Sequence, residues 1–302
     1  MRSLTASVLL RRLSDAPATV VVPAPQPGPG NWAGAPYAVS EGDTIWLAYR
    51  VRRPEGSGRG LANVLARSTD GGVAFETVAS LTSTEFGAAS LERPALVRRP
   101  DGGWRLYVSC ATPGSRHWWV EALDADTVAD LPVGARTVVL PGDESEAWKD
   151  VVVVTDDDGW HLWACRHPLD DGDDEADRMS TWYATSADGL AWTFHGPALE
   201  PRPGEWDARG ARVTDVRRTD TGWLALYDGR ASAAENFHER TGVAVGDSPT
   251  TLTYAAGPAP AAYGRALRYA SIIETSAGPR VYYETATEDG SHHLVTGLLV
   301  EA

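Results

Sequence analysis

Cysteine is nearly absent from this chain: Cys110 and Cys165 are the only two among 302 residues. A disulfide framework is therefore not indicated, and each thiol falls in an aromatic-rich strand where a core position is expected. Phenylalanine is also scarce, with four residues against twelve Trp and ten Tyr. No run approaches the roughly 18 apolar residues of a membrane span. Val8-Leu9-Leu10 is cut off by Arg11 and Arg12, so no signal-peptide core forms, and a soluble, cytoplasmic protein is expected. Cations are outnumbered, 27 Lys and Arg against 41 Asp and Glu, for a net charge of −14. A nucleic-acid partner is not expected of so acidic a surface.

What is present is a repeat. Aromatic-bounded strands recur at Trp46, Trp104, Trp160, Trp223 and Val281, at intervals of 58, 56, 63 and 58 residues. They read Ile45-Trp46-Leu-Ala-Tyr49, Trp104-Arg-Leu-Tyr107, Trp160-His-Leu-Trp163, Trp223-Leu-Ala-Leu-Tyr227 and Arg280-Val281-Tyr-Tyr283. Asp/Gly turns such as Pro100-Asp-Gly-Gly103 and Asp156-Asp-Asp-Gly159 precede them, a hairpin signal. Ser68-Thr-Asp70-Gly71 and Ser186-Ala-Asp188-Gly189 add a second recurrent turn, followed by Phe75 and Trp192.

Periods of this size mark arrays of one supersecondary unit. Units of about 58 residues with three or four strands each predict an all-β, five-bladed β-propeller. The expected single domain spans 1–302, with blades at roughly 31–82, 91–142, 146–199, 205–259 and 264–302. The fifth blade lacks an outer strand, and segment 7–13 is expected to supply it and close the ring.

Inner strands of a propeller line its channel. Eleven residues before each anchor stand Ala35, Arg93, Lys149, Arg212 and Ala270, three of them cations. Glu92, Asp150 and Asp207 lie beside them. A ring of both signs is hard to bury unless paired. Salt bridges knitting the channel together are one reading; a polar pocket equipped for acid/base work is the other. Loops on adjacent blades add Trp32, His117, Trp118, His167, Asp228, Arg230 and His238 as rim candidates. The His spacing is no ligand motif, and the Asp-rich stretch 170–177 lacks a calcium-loop pattern, so neither metal nor cofactor is expected.

These features resemble the five-bladed propeller superfamily of glycoside hydrolase families 43, 32, 62, 68 and 130. The phrase Ser186-Ala-Asp-Gly-Leu-Ala-Trp192 is similar to a turn common in those blades, and the likeness covers roughly residues 31–302. It implies a glycoside hydrolase-like enzyme with acids on inner strands serving as base or nucleophile, pKa modulator and general acid. Lys149-Asp150-Val151 resembles the start of an inner strand whose Asp orients the acid. Glu205-Trp206-Asp207 precedes the fourth inner strand, where relatives carry an acid. Blade one departs from the pattern, since Asn31-Trp32-Ala-Gly-Ala-Pro36 has no carboxylate.

The resulting expectation is catalysis on a small sugar-like or anionic substrate by Asp150, Asp207 and Glu92. Arg93, Lys149 and Arg212 would bind hydroxyls, a carboxylate or a phosphate. Phosphate in place of water, as in family 130, is a variant. Two alternatives stand beside it: non-hydrolytic acid/base chemistry on a metabolite (isomerisation, cyclisation, elimination), or a non-catalytic carbohydrate-binding propeller with Trp32, Trp118 and Trp119 as a stacking platform.

Overall fold

Each polar turn reverses the chain between β-branched and aromatic runs, and the result is a series of antiparallel meanders. A computed structural model describes residues 5–169, 178–259 and 267–299; the Asp-rich stretch 170–177 lies outside them. Helix α1 (Ala6–Asp15) and strand β1 (Thr19–Val22) come first. Strands β2 (Trp32–Glu41), β3 (Thr44–Arg52), β4 (Ala62–Ser68) and β5 (Glu76–Thr82) form the first meander. The second contains β6 (Ser90–Leu91), β7 (Ala95–Arg98), β8 (Trp104–Ala111), β9 (Trp118–Ala125) and β10 (Ala135–Leu140). The third is β11 (Glu146–Asp156), β12 (Gly159–Pro168), β13 (Ser180–Ser186) and β14 (Thr193–Leu199). The fourth is β15 (Gly210–Thr219), β16 (Gly222–Arg230), β17 (Arg240–Ser248) and β18 (Thr251–Ala256). The fifth comprises β19 (Leu267–Thr275), β20 (Gly278–Ala286) and β21 (His292–Leu298).

The fifth meander does gain an outer strand from the N-terminal region, but not from 7–13. That segment is helical, and β1 pairs antiparallel with β21 instead. The reason is periodicity. Ala6, Leu9, Leu10 and Leu13 repeat at three and four residues, a helical stripe, and Leu9 and Leu13 are fully buried in the core. Thr5 caps the helix by accepting from the Val8 amide at 3.4 Å. The β-branched run Thr19-Val-Val-Val22 is the strand former.

Five hydrophobic clusters fill the spaces between consecutive meanders. One holds Leu65 with Leu106, another Tyr107 with Leu162, a third Trp163 with Trp223, a fourth Leu226 with Tyr283, and the fifth joins Tyr282 to Leu47. The first strands touch in cyclic order: β2 with β7, then β11, β15, β19 and β2 again. β21 also pairs with β2 through Trp32 and His292, which merges the first and fifth meanders into one sheet.

The recurrent aromatics act as latches between neighbours. The Tyr107 hydroxyl donates to the Gly189 carbonyl at 2.7 Å, inside the Ser-x-Asp-Gly turn of the next meander. Tyr282 does the same to Gly72 at 2.9 Å, and Trp163 Nε1 donates to the Pro249 carbonyl at 3.1 Å. Asp188 holds its turn by accepting from the Leu190 and Ala191 amides, as Asp70 does from Val73 and Ala74.

Candidate active site

The site is set by a break that all five inner strands share. The ladder skips between Gly34 and Tyr37, Lys149 and Val152, Val213 and Asp215, and Arg268 and Ser271. In the second meander the gap separates β6 from β7, where Pro94 has no amide to donate. Bulges of this kind re-aim side chains. Three residues before each ladder resumes stand Gly34, Glu92, Lys149, Arg212 and Arg268, and the last four line one cavity. Counting from the aromatic anchors selects Ala35, Arg93 and Ala270 instead, because the anchors sit at unequal distances from the bulge.

The next residue in the bulge takes a left-handed backbone in three strands: Ala35 at φ 50°, Asp150 at 52° and Tyr269 at 53°. Such φ values are uncommon outside glycine and asparagine, and mark strain held by the surroundings. Asp150 is held by four contacts. Its Oδ1 accepts from the Arg93 amide at 3.1 Å and its Oδ2 faces Arg212 Nη1 and the Tyr269 hydroxyl, both at 3.3 Å. Its own amide donates to Ser109 Oγ at 2.9 Å.

The cavity, of about 90 Å³, is lined by Arg50, Arg52, Arg59, Lys149, Arg212, Arg230 and Arg268. Its lining carboxylates are Glu92 and Glu239, from the second and fourth meanders, and Trp118, His167, Met179, Asn236, Phe237 and Tyr269 complete it. Arg50 is ion-paired to Glu92, which also accepts from Ser90 Oγ at 3.0 Å. Glu239 lies 3.1 Å from Arg230 Nη1 and 2.7 Å from Arg268 Nε. Behind the wall, Asp228 accepts from Arg212 at 2.9 Å and from the Tyr269 amide at 3.0 Å. Glu284 faces Arg268 Nη1 and His292 Nδ1, both at 2.7 Å. Asp150 is the third carboxylate of this outer layer. Among the described residues, seven cations thus meet five carboxylates.

Charge placement decides the protonation states. Burial alone would push the Glu239 carboxyl up, but Arg268, Arg212 and Arg230 outweigh it and bring it down to about 2. Burial is likewise overcome at Glu92 by Arg50, Lys149, Arg59 and Arg52, and at Glu284 by Arg268, His292 and Arg50. Both are held well below the usual carboxylate range. Asp228 differs: burial raises it despite Arg212 and Arg268. Burial also raises the Tyr269 phenol against the pull of Arg212, so it keeps its proton. Arg212 stacks 3.9 Å over that ring, with Arg268 and Arg50 at 5.2 and 5.7 Å.

The structure sorts the sequence-based candidates. Glu92, Lys149, Arg212, Trp118, His167 and Arg230 meet at the cavity. Asp150 and Asp228 stand one layer behind it, each bonded to Arg212. Arg93 does not line the cavity. Its fully buried guanidinium donates to the Pro36 carbonyl at 2.9 Å and the Thr214 carbonyl at 2.8 Å, tying the second meander to the first and fourth. Asp207 also points elsewhere, since Arg202 Nε and the Tyr227 hydroxyl hold its carboxylate at 3.0 and 2.7 Å. His117 faces Thr112 at 2.7 Å, and His238 is exposed.

Trp32, Trp118 and Trp119 do not form a stacking platform. Trp32 is buried, stacked 4.3 Å from His292 with Arg52 on its ring at 4.1 Å. Trp118 carries Lys149 Nζ at 4.3 Å, and Trp119 packs in the cluster between the first two meanders. Sequence reasoning missed Arg50, Arg52, Arg59, Glu239, Arg268, Tyr269 and Glu284. The available signal for Arg268 and Tyr269 was the Arg268-Tyr269 pair itself, once aligned to Lys149-Asp150.

The vacant acid position of the first meander has a physical explanation. A Cβ on Gly34 would lie 2.1 Å from Glu284 Oε2, and the Ala35 amide donates to that same oxygen at 3.1 Å. A carboxylate from the fifth meander therefore occupies the space beside the first. Among the described residues, no group of three or more His, Cys, Asp or Glu is arranged to hold a metal ion. No helix there is long and apolar enough to cross a membrane.

No family model and no curated protein matches this chain. Solved structures do resemble it. A thermostable family-43 glycoside hydrolase is 15% identical over 87% of this chain and 88% of that one, with a TM-score of 0.66. The β-1,2-mannobiose phosphorylase from Listeria innocua is 15% identical over 93% and 91%, at 0.64. An α-L-arabinofuranosidase from Lactobacillus brevis is 13% identical over 88% and 90%, at 0.66. At these identities the likeness is one of fold: the mostly β fold of glycoside hydrolases and phosphorylases.

Proposed function

We propose, from the fold shared with glycoside hydrolases and phosphorylases, that this chain is a glycoside hydrolase-like enzyme acting on a small sugar or glycoside. In this reading the five meanders are blades of one propeller, closed through β1, and the cavity on its axis is the active site. The observation that carries it is that Glu92 and Glu239, from different meanders, line one cavity beside a proton-bearing Tyr269.

The chemistry follows from the protonation states. Glu92, held ionised by Arg50, takes a proton from the attacking water. Glu239, also ionised, faces the positive charge that develops on the sugar ring. The leaving oxygen takes its proton from the Tyr269 hydroxyl, and Arg212, Arg268 and Arg50 stabilise the phenolate that forms. Return of the proton from Glu92 to Tyr269 completes the cycle, with one water consumed per bond broken. Asp150 acts as a positioning residue, aligning Tyr269 and Arg212.

The test is turnover of a panel of aryl glycosides and disaccharides, with products resolved by chromatography. Glu92→Gln and Tyr269→Phe are expected to lower kcat by about 10²–10⁴-fold with melting still cooperative. Undiminished activity in both variants overturns the assignment.

One observation favours a second reading, non-hydrolytic acid/base chemistry on a metabolite. Both lining carboxylates are ionised at neutral pH, so neither can protonate a leaving oxygen, and a proton transfer within the substrate needs no leaving group. Incorporation of solvent deuterium into a metabolite without hydrolysis selects it.

A further inference from the structure

The cations of the cavity are not equally satisfied. Arg50, Arg212, Arg230 and Arg268 each face a carboxylate within salt-bridge distance. Among the described residues, Arg52, Arg59 and Lys149 face none. Arg52 is only 7% exposed. Its guanidinium lies 4.1 Å from the Trp32 ring and 4.5 Å from that of Phe237, in the corner where those two rings meet edge to face. Burial and the neighbouring Arg50 push its pKa down to about 10, as expected of a cation lacking a counter-charge. Lys149 is held over Trp118 in the wall of the same cavity. Among the described residues, Glu92 is an anion that all three act on, and it is already paired to Arg50.

Burying cations without partners is costly, and a protein keeps such an arrangement where a ligand completes it. A cavity of about 90 Å³ takes a handful of waters, or one compact polar group. We propose that Arg52, Arg59 and Lys149 form an oxyanion site, and that the ligand presents a carboxylate or a phosphate there. This deepens the proposed function and rests on it only for the sugar part of the ligand. The oxyanion is either borne by the sugar or supplied as free phosphate beside a neutral sugar.

The experiment is calorimetric titration of the full chain with inorganic phosphate, D-glucuronate and D-glucose, repeated for Arg52→Gln and Lys149→Gln. Phosphate or glucuronate is expected to bind at least tenfold more tightly than glucose. Each variant should weaken the anion at least tenfold while glucose stays unchanged. Lys149 is half-buried, so its variant keeps the test valid should Arg52→Gln fail to fold. Tight glucuronate binding that phosphate does not improve assigns the anion to the sugar; glucose binding strengthened by phosphate assigns it to a separate oxyanion. The proposal is overturned if neither anion binds, or if both variants bind as the wild type does. Binding is read without turnover, so an inactive enzyme that binds anions defeats the hydrolase reading alone. An active enzyme that binds neither anion defeats this one alone.

Discussion

Asp150 sits at φ 52°, where an L-residue is strained unless its side chain is short and polar. Asparagine tolerates that region at least as well, so Asp150→Asn should fold as the wild type does. The amide removes the charge facing Arg212 and weakens the bond from Tyr269, so activity should fall by at least tenfold. A circular-dichroism melt paired with the glycoside assay separates the two effects, and full activity would remove Asp150 from the mechanism. Gly34 presents the opposite case. Its missing Cβ is what lets Glu284 approach, and Gly34→Ala is expected to cost about 1–3 kcal/mol through overpacking. A melting temperature unchanged in that variant would mean that Glu284 moves aside freely.

At the scale of elements, the aromatic repeat is best understood as joinery. Tyr107 and Tyr282 each donate a buried hydroxyl to a glycine carbonyl of a neighbouring meander. Replacing either by Phe keeps the ring and leaves a carbonyl without that donor, at a cost of about 1 kcal/mol by urea denaturation. The two bonds join different pairs of meanders and share no partner, so the double variant should show the sum. Strands were legible because alternation and Asp/Gly turns are local signals. The anchors Trp104-Arg-Leu-Tyr107 and Trp160-His-Leu-Trp163 lie in strands Trp104–Ala111 and Gly159–Pro168. Segment 7–13 was misread because three adjacent apolar residues suit a strand as well as a helix. Only the spacing of Ala6 and Leu13 separates the two. The row of site residues was misplaced for a different reason: a bulge leaves no mark in composition, and a slip of one residue changes which side chain faces the axis. Arg50 and Arg52 read simply as the polar end of β3, and nothing local shows that this end turns inward.

The whole molecule carries a net charge of −14 around a basic cavity. Its buried glutamates tie stability to pH. Glu92, Glu239 and Glu284 ionise more easily folded than unfolded, so the stability they contribute is complete above their ordinary pKa of about 4.5. It is lost as pH falls toward their folded values, about 2 for Glu239. Asp215 and Asp228, raised chiefly by burial, work in the opposite sense. Since the three glutamates bind the cavity arginines, their loss is expected to dominate, and the melting temperature should drop steeply between pH 4.5 and 3. A melting temperature that stays level across that interval would contradict the charge pairing drawn here.

Arg93 reaches across the axis to carbonyls of two other meanders, and Tyr37 stacks beside it at 5.1 Å. That single side chain joins three meanders at one point, as a rivet joins three plates. Draw that rivet, and the three plates lose their common hold together.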